Sequence, residues 1–238
     1  EYKAMTAKEI LSDIIQNFDP ESFKTFFRLK NTDFAPVSQP LNHYQDKEFT
    51  DFYQIGEINF REASQRLVVI AIKILIPLSE RSGKKAQYEK AKKILKEFNI
   101  FDAGIFIFYD QNKNFRFSLI YAESLGIRRQ FSNFKRFTYF VSKDLTNNTF
   151  LNRIGDVDFL TLEDIKEAFS LEPVNKEFFS TVAMLFTKLA GGERRIGREE
   201  FKGKGLLHLP STVDDTLKKE FSIRLIGRLV FSWFLKKK

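Results

Sequence analysis

The chain has 238 residues, of which 43% are hydrophobic and 29% are charged, the balance of a globular protein. It has no cysteine and two histidines, which excludes disulfides, thiol catalysis, zinc–thiolate sites and histidine-rich metal sites. Any metal would therefore be held by carboxylates, the ligands that suit magnesium, manganese or calcium. The net charge of +8 favours a polyanionic partner.

Neither end of the chain resembles a targeting or membrane segment. The first residues, EYKAMTAKEILSDIIQNF, form an amphipathic pattern with acidic residues where a secretory signal would be apolar. The most apolar late stretch, FSIRLIGRLVFSWFL, has 15 residues and carries Arg224 and Arg228, so it is too short and too charged to cross a bilayer. We therefore expect a cytoplasmic location and no membrane partner.

The first two thirds of the chain predict helices followed by a sheet. Apolar spacing predicts a helix over 7–18, and Asp19-Pro20-Glu21 is typical of the start of a second. The polar stretch 31–47 contains two prolines and predicts a loop. Alternating and apolar runs then predict two hairpins with a helix between them, and one further strand. These elements are the strands 51–60 and 66–76, the helix 84–98, and the strands 104–109, 115–121 and 135–142.

From about residue 150 the pattern becomes helical. Thr161 and Asp164 form a capping-box pattern that opens a helix to Phe169, and Asn175 is predicted to cap the next helix. The glycine-rich stretch 191–205 predicts a loop without a phosphate-binding motif, and 214–238 predicts a last helix. Its terminal lysines fit either a piece of a longer protein or a naturally basic tail. The sequence thus predicts an α+β fold, with a sheet domain over 1–150 and a helical connector over 151–238.

A single lysine interrupts the apolar strand LVVIAIKILI. Burying the ammonium group of Lys73 is costly unless it meets an anion. A strand that presents lysine to a cleft, between a hairpin and a helix, is how many nucleic-acid hydrolases place a catalytic lysine. The alternative is that Lys73 points to solvent near the end of its strand.

The order of several segments resembles a known family. IGEINF, LVVIAIKI, LSERSGKKAQYEKAKKIL, FDAGIFIFYD, NFRFSLIYAE and KEFSIRLIGRLVFSWFLKKK resemble, in order, the amino-terminal nuclease-like region of type IIG restriction–modification enzymes. The resemblance implies a PD-(D/E)xK-like mixed sheet flanked by helices, followed by a helical connector. Such enzymes cut DNA with magnesium and methylate adenine with S-adenosylmethionine. Methyltransferase motifs are absent here, so that cofactor would belong to a methyltransferase domain of the parent protein, next to a target-recognition domain.

The family's metal site would need a rearranged acid in this chain. The acid that precedes the motif lysine by two residues is replaced by Ala71, whose hairpin partner by counting is near Gln54. Glu57 is the nearest carboxylate on the first strand and shares the pleat of Gln54 only if a bulge intervenes. The resemblance makes Lys73, Glu57 and Gln87 the candidate catalytic residues. The candidate metal ligands are Glu57, Glu80 and Glu89.

Three functions remain open from the sequence. The chain is an endonuclease region with a migrated acid, a nuclease-like fold kept for binding duplex DNA or scaffolding a methyltransferase, or a basic scaffold with solvated charges. Basic residues on the central helix and beside the later strands are the candidate contacts to DNA phosphates. They are Arg81, Lys84, Lys85, Arg128, Arg129, Lys135 and Arg136.

Overall fold

A computed structural model describes residues 5–81, 83–122, 134–170, 172–196, 199–210 and 212–236. The chain divides into two compact units, Glu1–Ser170 and Leu171–Lys238. In unit 1 the elements are α1 (Ala7–Gln16), α2 (Ser22–Lys30), β1 (Phe34–Pro40), β2 (Phe49–Phe60), β3 (Gln65–Ile74), α3 (Lys84–Phe98), β4 (Ala103–Tyr109), β5 (Phe115–Ala122), β6 (Phe134–Val141), α4 (Asn148–Asp156) and α5 (Leu162–Phe169). Unit 2 contains α6 (Glu172–Ala190), β7 (Gly192–Ile196), β8 (Glu199–Gly203) and α7 (Asp215–Lys236).

Unit 1 is built on a six-stranded mixed sheet in the order β1-β2-β3-β4-β5-β6. Every neighbouring pair is antiparallel except β3 and β4, which are parallel. A parallel pair needs a crossover connection, and α3 supplies it. The expected α+β fold with a mixed sheet is therefore confirmed.

Helices cover both faces of this sheet. One face packs against α1, α2, α4 and α5, and the other packs against α3. Successive residues of β3 alternate between these two cores: Val69 and Ala71 belong to the first, Ile70 and Ile72 to the second. In β3 the residues from Leu67 to Ile72 are all apolar and buried, and the polar residues Gln65, Arg66 and Lys73 lie near the strand ends.

Phenylalanines fill the four-helix side of the sheet. Phe117 of β5 lies 5.8 Å from the ring of Phe23 and 5.5 Å from the ring of Phe169, both in stacked geometry. All three side chains are buried. These buried phenylalanines therefore serve the packing between helices and sheet.

Three predicted local structures are wrong. The stretch 31–47, predicted as a loop, contains β1, which tolerates Pro36 and Pro40 because it is an edge strand. The stretch 191–205 contains the β7–β8 hairpin, and Asn175 lies inside α6 instead of capping it. The capping box is confirmed: the Thr161 hydroxyl accepts from the Asp164 amide, and the Asp164 carboxylate accepts from the Thr161 amide.

Unit 1 extends beyond the predicted boundary near residue 150. The helices α4 and α5 contribute buried residues, including Ile154 and Ile165, to the core on the sheet. They therefore belong to the compact unit that ends at Ser170, and unit 2 begins later than the sequence indicated.

Among the described residues, no helix combines the length and apolarity needed to cross a membrane.

The aromatic core predicts a large effect of truncating Phe117. The change Phe117→Ala should lower the free energy of unfolding by about 3–5 kcal/mol, because it removes a ring packed on all sides and leaves a cavity. The control Leu160→Ala removes a side chain that is 68% exposed and should change it by less than about 0.5 kcal/mol. Urea unfolding measures both. Equal effects would contradict this description of the core.

Candidate nucleic-acid interface

Glu57 and Lys73 do not meet in the structure. Glu57 pairs with Val68 across the hairpin, whereas Lys73 pairs with Thr50 near its other end. Positions 68 and 73 are about 17 Å apart along a strand, and an odd separation places their side chains on opposite faces. The Glu57 carboxylate is instead bound by the Arg66 guanidinium at 3.0 Å. The predicted joint role of Glu57 and Lys73 therefore has no geometric basis.

A bulge intervenes in the first hairpin strand, the condition under which Glu57 shares the pleat of Gln54. The register of β2 against β3 shifts between Gln54 and Gly56, which brings Gln54 and Glu57 onto the same face. The same shift makes Tyr53, one position from the expected Gln54, the partner of Ala71. A second shift, between Thr50 and Tyr53, makes Thr50 the partner of Lys73. Neither Tyr53 nor Gln54 is acidic, so β2 places no carboxylate opposite Ala71.

The remaining predicted metal ligands are also separated. Glu80 lies exposed before α3, and exposed Glu89 of α3 forms an ion pair with Lys92 at 3.0 Å. Gln87 is buried, and its amide oxygen accepts a hydrogen bond from Arg116 at 2.6 Å. In the described part of the chain, no three histidine, aspartate or glutamate side chains form a group that could hold a metal ion. The predicted ligands Glu57, Glu80 and Glu89 do not fit a magnesium ion, and no hydrolytic step follows from them.

Lys73 has a carboxylate neighbour that sequence reasoning missed. Its ammonium lies 3.4 Å from Asp51, which adopts a left-handed backbone at φ 47° within the register shift between Thr50 and Tyr53. Lys73 is also in register with Tyr109 of β4. The pKa of Tyr109 is raised to about 12 by burial and then by the negative charges of Asp51 and Asp19. Asp51 lies in a bulge of β2, and counting residues across the hairpin does not predict that bulge.

The structure does bring together basic residues of α3 and β6. Arg136 donates a hydrogen bond to the carbonyl of Lys84, and its guanidinium lies 5.5 Å from the ring of Tyr88. The Tyr88 hydroxyl donates to the carbonyl of Phe134 at 2.7 Å. The first turn of α3 is thereby held against the start of β6. We call Arg81, Lys84, Lys85 and Arg136 the α3–β6 basic patch. The predicted contact Lys135 pairs with Tyr121 and therefore lies on the opposite face of β6 from Arg136, and Arg128 and Arg129 lie outside the described residues.

Three basic residues of this patch lack the carboxylate partners that other lysines of α3 have. Within the described ranges, no carboxylate lies within 4.0 Å of Arg81, Lys84 or Lys85, whereas Lys92 and Lys93 pair with glutamates. The first turn of α3 contains no acidic residue. Lysines at the positive end of a helix dipole oppose helix stability. An anionic ligand would relieve this concentration of positive charge.

A buried arginine supports the patch from behind. Arg116 of β5 donates to Gln87 and to the carbonyl of Ser79, each at 2.6 Å, and is 1% exposed. Burial, and then the charge of Arg136, lowers the pKa of Arg116 to about 10, so it remains cationic at neutral pH. Burial also lowers the pKa of Arg136. Arg116 thus fixes the segment before α3 while adding positive potential.

Sequence reasoning could not assign Arg116 this place. The alternation of Arg116 and Ser118 with aromatic residues predicts that one face of β5 is exposed to solvent, but in the structure both side chains are buried and α3 covers this face. The hydrogen bond between the Ser118 and Thr138 hydroxyls, at 2.7 Å, lies beside it between β5 and β6. The polar residues therefore form a buried support for the patch.

The chain was compared with family models, with curated proteins and with solved structures, and none of the three comparisons gave a match. The resemblance to type IIG enzymes accordingly stays a prediction from the segments quoted above.

The raised pKa of Tyr109 predicts a loss of stability at high pH. A tyrosine ionises near pH 10 in the unfolded chain but near pH 12 in the folded one, so folding is favoured less as pH rises through this window. The change Tyr109→Phe removes this contribution. Wild type should therefore lose more unfolding free energy than Tyr109→Phe between about pH 9 and about pH 11.5. Urea titrations at both pH values measure this, and identical losses would contradict the assignment.

Proposed function

We propose that unit 1 is a nuclease-like module that binds duplex DNA through its phosphates at the α3–β6 basic patch. The observation that carries the proposal is the pair Lys84 and Lys85, which stand without a carboxylate neighbour, among the described residues, at the positive end of α3. Phosphate contacts need only such charges and carry no sequence information. The proposal includes a PD-(D/E)xK-like relationship for the sheet, which the type IIG resemblance supports.

The choice of duplex DNA among polyanions rests on that resemblance. Base reading would come from a target-recognition domain, and methylation with S-adenosylmethionine from a methyltransferase domain of the parent protein. In this proposal unit 1 binds the duplex without magnesium, because the predicted acidic ligands do not come together into a metal site. The competing view, a basic scaffold with solvated charges, predicts no salt-sensitive affinity for DNA.

Two matched double variants on one helix test the proposal. Lys84→Ala/Lys85→Ala and Lys92→Ala/Lys93→Ala each remove two adjacent lysines of α3, but only the second pair is already bound to glutamates. Each lost phosphate contact should weaken binding about tenfold at 50 mM salt, by loss of counterion release. We expect about hundredfold weaker binding for the first variant and less than about threefold for the second. Fluorescence anisotropy with a labelled duplex and EDTA measures both.

The comparison of these variants separates a local site from general charge. Equal weakening by the two double variants would mean that net charge alone attracts DNA, and it would overturn the assignment to the α3–β6 basic patch. No measurable affinity of the wild type at 50 mM salt would overturn DNA binding itself.

Magnesium-dependent DNA cleavage is the second candidate function. It is favoured by the Lys73–Asp51 pair, which lies at the carboxyl end of β3 and includes a residue with left-handed backbone. Backbone strain of this kind clusters at functional sites.

Plasmid cleavage in magnesium distinguishes the two functions. The primary proposal expects supercoiled plasmid to stay intact with both the wild type and Lys73→Ala. Cleavage by the wild type that is lost in Lys73→Ala and Asp51→Asn would establish the second function. Cleavage that persists in both variants would exclude Lys73 and Asp51 as its source.

A further inference from the structure

Unit 2 contains an apolar groove between α6 and α7. Its volume is about 610 Å³, and its lining consists only of apolar side chains and one glycine. The aromatic part of the lining is formed by Phe178, Phe179 and Phe186 of α6 and by Phe231 of α7. A small molecule usually needs a few polar groups that fix its orientation, and this groove offers none. It fits an apolar surface instead.

The side chains around the groove remain largely exposed in this unit. Phe179 is 67% exposed and Phe231 is 65% exposed. Among the residues of unit 2 whose side chains the structure describes, Thr187, Ala190, Ser222 and Ile226 are buried. Contiguous exposed aromatic residues of this kind mark an interaction surface.

The shape of the groove matches a third helix. The α7 residues that line it follow the spacing i, i+3, i+4, i+7 and i+8, which is one stripe along a helix. Gly227 lies in this stripe, and a Cβ atom there would meet nothing within 4 Å. The space above Gly227 can therefore receive a side chain from a helix that lies between α6 and α7, in the manner of helix-in-groove recognition.

The charge beside the groove indicates what kind of helix fits. Arg224 and Arg228 each follow a lining residue of α7 by one position, so they border the stripe, and both are exposed. Arg224 forms an ion pair with Glu220 at 3.3 Å, but Arg228 has no carboxylate within 4.0 Å in the described part of the chain. The described α7 carries five cationic and two anionic side chains. Acidic residues beside the apolar stripe of a partner would complement this border, whereas a second copy would oppose two cationic helices.

We propose that this groove binds an amphipathic helix of a partner protein, with its apolar stripe against Phe179 and Phe231 and acidic residues facing Arg228. This partner differs in kind from DNA, and its binding does not depend on the α3–β6 basic patch.

Two synthetic helical peptides of about 18 residues test the proposal. Both carry leucines at i, i+3, i+4 and i+7 spacing, and they differ only in having glutamates or lysines beside the leucine stripe. Titration of the full chain into each labelled peptide, followed by fluorescence anisotropy, gives the affinities. The glutamate peptide should bind at least about tenfold more tightly than the lysine peptide.

Variants of exposed residues locate the binding site. Phe179→Lys/Phe231→Lys should weaken binding of the glutamate peptide at least tenfold, whereas the control Leu206→Lys, at a side chain that is 71% exposed outside the groove, should not. Arg228→Glu changes a single exposed side chain and should reduce or reverse the preference for glutamate. Circular dichroism confirms that each variant is folded.

Several results would overturn the proposal. Equal affinity for the two peptides, or no binding of either, would remove the acidic helix as the occupant. A dimer in light scattering that Phe179→Lys/Phe231→Lys dissociates would make a second copy the occupant instead.

Discussion

Burial of β3 on both faces is the constraint on which unit 1 depends. From Leu67 to Ile72 every side chain is at most 1% exposed, because helices cover the sheet on both sides. An ionised group within this strand would lose hydration without a partner, so its charge can lie only at the strand end. Lys73 stands at that end and meets Asp51. The next lysines along the chain, Lys84 and Lys85, lie outside this strand, in the first turn of α3.

Arg116 connects this buried sheet to the basic patch. Its guanidinium binds Gln87 of α3 and the Ser79 carbonyl, so β5 determines where the segment before α3 runs. Arg136 then binds the Lys84 carbonyl from β6. Two adjacent strands thus hold the first turn of the one helix that carries Lys84 and Lys85.

Local patterns predicted much of this fold, and long-range pairing explains what they missed. The bounds of α3 and the capping box of α5 follow from residues close in sequence, and both agree with the structure. The proposed Glu57–Lys73 site failed because Glu57 lies opposite Val68, five residues before Lys73 on β3. The Lys73–Asp51 pair was missed because Asp51 lies within a register shift of β2, which local patterns do not indicate. The contacts that build the patch join residues 29 and 52 positions apart, so neither periodicity nor spacing indicates them.

Lysine footprinting on bound DNA shows directly whether the first turn of α3 contacts the duplex. Acetylation of the wild type, with and without a duplex and in EDTA, can be quantified at each lysine by mass spectrometry. We expect protection of Lys84 and Lys85, with unchanged reactivity of Lys92 and Lys93. Unchanged reactivity of Lys84 and Lys85 in a DNA-bound sample would contradict it, because the duplex would then be held by another surface.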